Sequence, residues 1–341
     1  MQAEEELRAG EETRDVPPLR NEAGLSEAQL EQLYYFMKLA RALEDRLFVM
    51  YRQGKLVGSV FLARGQEAME VGCGFPLRPD DVVSGTHRDQ ILAITKGMDI
   101  RRVLLNYFGK RDGPTRGRDG NSHFHAFDIG VMNVVSHLPD GYPLAVGAAL
   151  AFKLRREPRV ALAMCGEGAT NNGTWHEAMN LAAVMKLPFI AVVQNNQYAY
   201  STPNWQEFAC ESLADRARGY GIPGVEIDGN DILQVVATIK EAAERARSGG
   251  GPTLVVGQTF RQLGHAGHDG AEYVPQEVRE YWLARDPIVR FEAFLESNGL
   301  LDPVKKEELE ARIKQEIAES IEWAQAQPDP LPEEVSQGVY A

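Results

Sequence analysis

The stretch 159–196 constrains the fold more than any other part of the chain. RVALAMC reads as a buried strand, GEGATNNG as a turn, TWHEAMNLAAVMKL as a helix and PFIAVVQ as a second buried strand. Strand, helix and strand in that order make a βαβ crossover. Because such crossovers are right-handed, the two strands run parallel and end at the same edge of one sheet. A third apolar run at 253–257 follows the helical stretch ILQVVATIKEAAERA and leads into QTFRQLGHAGHDG. Strands alternating with helices predict an α/β fold, a doubly wound parallel sheet flanked by helices, with ligands bound at the carboxyl ends of the strands.

The flanking segments are read from their own periodicity. Ser26 and Gln29 form a capping box, and Leu30, Leu33, Met37, Ala40, Leu43, Leu47 and Met50 recur at three- and four-residue steps behind it. This spacing predicts a long amphipathic helix ending near Gly54. The compact motif GQEA follows. Val82 and Val83 are read as a short extended segment, with SGTHRD at 84–89 as the loop after it. Residues 109–142 hold six glycines and three of the seven histidines without clear periodicity, which predicts a long functional loop. From Asp286 onward the pattern is mostly helical, clearest in EELEARIKQEIAESIEWA. Residues 1–26 are expected to be a mobile arm, 27–326 one domain and 327–341 a proline- and acid-rich tail.

Composition removes several classes of function. Thirty-six basic against forty-nine acidic residues give a net charge of −13, which repels nucleic-acid backbones and anionic lipid. The longest apolar run, 143–152, is about half of what a membrane span needs. Cysteines at 73, 165 and 210 are odd in number and lack CxxC spacing, so a reducing compartment, the cytoplasm, is expected.

The chemistry is read from the two strand ends of the crossover. Glu167 lies in the turn after the first strand, and Asn196 stands 29 residues later, just past the second. A carboxylate, an amide oxygen and a free backbone carbonyl at Tyr198 offer three hard oxygen ligands to magnesium, with positions left for phosphate and water. Gly166 and Gly168 let the backbone approach a diphosphate, aided by the N-terminus of the helix that starts near Gly173. A dinucleotide fingerprint fails because Asn171 stands where its third glycine belongs, and no Gly-Lys-Ser/Thr ending marks a P-loop.

Seven motifs occur in order: RQGKLVGSVFLARGQEA, THRD, GNSHFH, SHLP before PLAVGAALA, GEGATNNG, QNNQYAYST and FRQLGHAGHD. Through them the chain resembles, over residues 27–330, the α subunits of the E1 component of 2-oxo acid dehydrogenase complexes. The resemblance implies the thiamine diphosphate-binding fold, with thiamine diphosphate and Mg2+ as cofactors. It implies decarboxylation of pyruvate or a branched-chain 2-oxo acid and transfer of the acyl group to a lipoyl group on the E2 acyltransferase. It further implies an E1 β subunit that supplies the activating glutamate, in an α2β2 heterotetramer inactive without β.

Residue by residue, the resemblance makes Glu167, Asn196 and the Tyr198 carbonyl metal ligands, and Gly168 and Ala169 backbone neighbours of the diphosphate. Arg88 and Arg261 become phosphate-side cations, His87 a cofactor contact, and Ser136 and Leu138 contacts to the aminopyrimidine. His265 is expected near the thiazolium as a proton donor or an orienter of the reacting carboxylate and lipoyl group, and His123 takes a secondary catalytic role. Glu167 in place of the commoner aspartate leans toward branched-chain substrates, whereas Gln194 in place of their arginine leans away. Phe61, Leu62 and Tyr107 are candidate lining residues, and His176 is expected to pack or cap. The alternatives are an acetoin dehydrogenase α subunit, a non-catalytic scaffold, and a zinc site built from His123, His125, His265 and His268.

Overall fold

The computed structural model describes residues 16–56, 58–119 and 122–337. Ser26 caps α1 (Glu27–Arg52) through the reciprocal Ser26–Gln29 box, and its apolar stripe is buried. There follow α2 (Glu67–Gly74), β1 (Val82–Thr86), α3 (Gln90–Thr95) and α4 (Ile100–Tyr107). After β2 (Phe124–Ala126) and β3 (Val131–Val135) come α5 (Gly141–Arg155), β4 (Ala161–Gly166), α6 (Gly173–Val184) and β5 (Phe189–Asn195). A small ladder, β6 (Tyr198–Ala199) with β7 (Thr202–Pro203), precedes β8 (Gly224–Asp228), α7 (Ile232–Arg247) and β9 (Thr253–Gln258). The chain then continues in α8 (Gln276–Leu283), α9 (Pro287–Ser297) and α10 (Pro303–Gln325).

The main sheet has seven strands in the order β2-β3-β1-β4-β5-β9-β8, all parallel except β2. Period-two alternation sorts the strand side chains between two cores. Leu162 and Met164 of β4 join Ile190, Val192, α1, α2 and α7 on one face. Ala161, Ala163 and Cys165 join Phe189, Ala191, Val193, α5 and α6 on the other. With both faces covered, these strands read as continuous apolar runs, which is why they stood out in the sequence. From β1 the order proceeds to β3 on one side and to β4, β5 and β9 on the other. That reversal opens a crevice at the carboxyl edge between β1 and β4.

The structure corrects three expectations. Ser84, Gly85 and Thr86 of SGTHRD belong to β1, so only 87–89 form the loop. The segment 109–142 is not one loop: it supplies an antiparallel β2–β3 pair and the start of α5, and β3 aligns with β1. Its apolar residues are too few to show a period, and the ladder with β1 decides their conformation. Residues 16–25 of the expected arm are packed down. Leu19 is buried, the Pro17 carbonyl accepts from Arg290, and Asn21 bonds both backbone groups of Leu25. The remainder of that arm, 1–15, lies outside the described residues.

The tail packs on the loop after α4, where Lys110 pairs with Asp329 and Arg111 with Glu334. Among the described residues no helix is long and apolar enough to cross a membrane.

Candidate active site

Five strand ends and one helix start converge on a cleft of about 390 Å³. The loop after β1 contributes Thr86, His87, Arg88 and Asp89, and the loop after β3 contributes Leu138. The end of β4 brings Gly166, Glu167, Gly168 and Ala169, and that of β5 brings Gln194, Asn196 and Tyr198. Arg261 and His265 arrive from the segment after β9, and Gln66 from the N-terminus of α2. Thus His87, Arg88, Leu138, Gly166, Glu167, Gly168, Ala169, Asn196, Tyr198, Arg261 and His265, all expected from sequence, meet in one place. Gln66, Thr86, Asp89, Gln194, Ala199 and Tyr200 complete the lining and were not among the expected site residues. Gln66 lies in the quoted GQEA motif and Gln194 opens QNNQYAYST, but neither local pattern shows where the side chain points.

Parallel register explains the acidic corner. Gly166 pairs with Gln194 across β4 and β5, so the residues just beyond, Glu167 and Asn196, are neighbours, and the Asn196 N–H donates to Glu167 Oε2 at 3.1 Å. Glu167 is 1% exposed. Burial, with the Glu207 charge nearby, pushes its carboxyl up to about 7, against the opposing pull of Arg261. Gly168 is required here, because a Cβ would sit 2.5 Å from Ala199 Cβ, whereas Gly166 faces open space.

The Tyr198 carbonyl is not free, contrary to expectation. Arg261 reaches across from the β9 side and donates to it at 3.0 Å, with further bonds to Tyr200 O at 2.8 Å and the Tyr273 hydroxyl at 3.0 Å. A carbonyl oxygen has two lone pairs, and Arg261 takes one of them.

Two buried guanidiniums dominate the cleft's electrostatics. Arg88 donates to the carbonyls of Leu62 at 2.7 Å and His265 at 3.0 Å. Neither Arg88 nor Arg261 forms an ion pair with a described carboxylate. Burial, with Arg261 close by, lowers the Arg88 guanidinium to about 10. The same surroundings keep both histidines neutral: burial and then Arg88 lower His87 to about 2 and His265 to about 4. The His265 ring lies 4.5 Å from Tyr200, 5.6 Å from Phe61 and 5.6 Å from His87. Its Nδ1 and both ring nitrogens of His87 are buried without partners. Two guanidiniums without an ion pair among the described residues thus face the cleft beside two neutral imidazoles.

Of the expected site residues, Ser136 and His123 stand aside from this lining. His123 Nε2 lies 2.5 Å from Ser136 Oγ, and its Nδ1 lies 3.2 Å from Asp119 Oδ1. Among the described residues no group of three or more His, Cys, Asp or Glu side chains could hold a metal ion, so the four-histidine zinc alternative has no structural basis. Of the candidate lining residues, Phe61 packs edge-on against His87 at 4.5 Å, whereas Leu62 and Tyr107 are core. His176 is paired with the Tyr220 hydroxyl.

Behind the cleft, α1 and α2 bury a second set of acids. Glu44 accepts from the Ala63 N–H at 3.0 and 2.9 Å and from Gln90 Nε2 at 3.0 Å, and burial pushes its carboxyl up to about 8. A carboxyl raised by folding favours the native state fully below its ordinary pKa and loses that contribution as pH climbs toward 8. Glu44→Gln is therefore expected to flatten the decline in urea midpoint between about pH 5 and pH 9. An unchanged slope would place the decline elsewhere.

Comparison with known proteins identifies the family. The family model described as the dehydrogenase E1 component matches residues 35–333. The chain is 36% identical over 320 residues to the α subunit of acetoin:2,6-dichlorophenolindophenol oxidoreductase from Bacillus subtilis, covering 93% of this chain and 96% of the relative. It is 34% identical to the pyruvate dehydrogenase E1 component α subunit of Porphyra purpurea, over 94% and 95% of the two chains. It is also 36% identical to the 2-oxoisovalerate dehydrogenase α subunit of Bacillus subtilis, over 93% and 97%. A family match over most of the chain, with α subunits aligned along nearly its whole length, means that this protein belongs to the dehydrogenase E1 component family.

Proposed function

We propose that this chain is the α subunit of a thiamine diphosphate-dependent 2-oxo acid dehydrogenase. In this reading it acts with an E1 β subunit in an α2β2 heterotetramer in the cytoplasm and delivers the acyl group to a lipoyl-bearing E2. The observation that carries the reading is the cleft itself, where two buried guanidiniums, Arg88 and Arg261, have no ion pair among the described residues and face the same space as the buried Glu167 carboxyl. A magnesium diphosphate would complement both, its anion facing the guanidiniums and its cation the carboxyl.

Glu167, the Asn196 amide oxygen and the Tyr198 carbonyl would hold Mg2+, with octahedral positions left over. Arg88, Arg261 and the backbone at Gly168 and Ala169 would hold the diphosphate. Thiamine diphosphate supplies, when bound, the electron sink on which a 2-oxo acid loses carbon dioxide. His265, neutral and held against Tyr200 and Phe61, would hydrogen-bond the reacting carboxylate or the lipoyl group. Ser136 and Leu138 would contact the aminopyrimidine, while Asp119 and Ser136 fix His123 in one orientation for its secondary role. The free cysteines, with Cys73 and Cys165 fully buried, suit a reducing compartment.

Identities of 34–36% to relatives named for acetoin, pyruvate and 2-oxoisovalerate are too close to choose among substrates. Co-expression with the β subunit, followed by magnesium-dependent thiamine diphosphate binding and turnover of pyruvate, 3-methyl-2-oxobutanoate and acetoin, tests the proposal. The preferred substrate is expected to lead the other two in kcat/KM by tenfold or more, as pocket shape ordinarily achieves. Absence of magnesium-dependent binding would leave a non-catalytic scaffold.

A further inference from the structure

At the floor of the cleft, Gln66 is 0% exposed, and neither its Nε2 nor its Oε1 has a hydrogen-bond partner. Its backbone, in contrast, is fully engaged. The N–H donates to Ala63 O at 2.7 Å, and the carbonyl accepts from Met69 N at 3.0 Å. The turn before it is locked as well. Gly65 has φ +93°, and a Cβ there would lie 2.4 Å from the Phe260 carbonyl oxygen. Thr259 Oγ1 donates to Gly65 O at 3.1 Å, and Gln262 N donates to Arg64 O at 3.0 Å. Gln66 is thereby pinned against the segment that carries Arg261.

A buried carboxamide with four unmet hydrogen-bonding positions is a poor core residue, since a methionine would fill the same space without unpaired polar atoms. It is a good ligand-binding residue. The other buried polar atoms without partners in this cleft are both nitrogens of His87, His265 Nδ1 and Gln194 Oε1, whose amide nitrogen is already donated to Asp89 at 2.6 Å. Gln66 is therefore the carboxamide of the lining whose nitrogen and oxygen are both buried without a partner among the described residues.

We propose that Gln66 is a binding residue of this cleft, its Nε2 donating to an oxygen of the diphosphate and its Oε1 accepting from water held with it. The inference rests on the diphosphate reading above. The full chain with its β subunit tests it, using two probes, inorganic diphosphate and thiamine diphosphate, each with Mg2+. Melting temperature without ligand is read beside calorimetric affinity.

Gln66→Met is expected to melt at or above the wild-type temperature when empty and to bind thiamine diphosphate about tenfold more weakly. Gln66→Glu has the same shape, keeps an acceptor and carries negative charge when ionised, so it is expected to bind more weakly still above neutral pH. It also carries the test if the methionine variant does not fold. Unchanged affinity in these variants, with or without a loss of empty-state stability, would overturn the proposal and leave Gln66 structural. If the wild-type protein binds neither probe, the diphosphate reading fails first, and that outcome is visible before any variant is made.

Discussion

Glu167→Gln is expected to lower the affinity of the α–β assembly for magnesium thiamine diphosphate by roughly 100-fold or more, with turnover falling in step. The side chain keeps its shape, and the Asn196 N–H keeps an acceptor, so the fold has no reason to change. What disappears is the one charged group among the three proposed ligands. Asn196 and Tyr198 contribute only neutral oxygens, and the Tyr198 carbonyl is already shared with Arg261. Removing a fully buried carboxyl whose ionisation is disfavoured also predicts that the empty variant melts no lower than wild type. A variant that binds magnesium and cofactor as well as wild type would show that the corner is a turn and not a metal site.

The second large effect concerns the partner. Purified without a β subunit, the chain is expected to give no 2-oxo acid decarboxylation above background, and addition of β is expected to restore it. The physical reason lies in the carboxylates of the cleft. Only Asp89 and Glu167 line it among the described residues. Glu167 belongs to the proposed metal corner. Asp89 is fully buried, accepts from Thr86 N at 2.7 Å and from Gln194 Nε2, and has its carboxyl raised by burial. Neither is placed to activate an aminopyrimidine ring as a second, independent base. Decarboxylation by the isolated chain, with light scattering excluding a contaminating subunit, would refute this arrangement.

The crossover from β4 to β5 shows how far local pattern reaches. Its strands are buried on both faces, so they appear as uninterrupted apolar runs, and chirality then forces Glu167 and Asn196 to one edge. The same reasoning reads α1 from its cap and stripe, because a helix that buries one face announces its period. The segment 109–142 hides its strands for the opposite reason. β2 and β3 are three and five residues long, and their conformation is imposed by the ladder with β1 rather than by any period of their own.

The sequence by itself determined the α/β class, the sheet edge that Glu167 and Asn196 share, and the residue types there, since each depends on spacing within one crossover or one motif. Only the tertiary structure decided that Arg261 shares the Tyr198 carbonyl, that Ser136 is tied to His123, and that Gln66 is stranded without partners on the cleft floor. These contacts join positions that close chain packing alone brings together, such as Arg261 with Tyr198, 63 residues apart. No local period encodes them, because burial and unpaired polar atoms are properties of the assembled interior, not of any one segment.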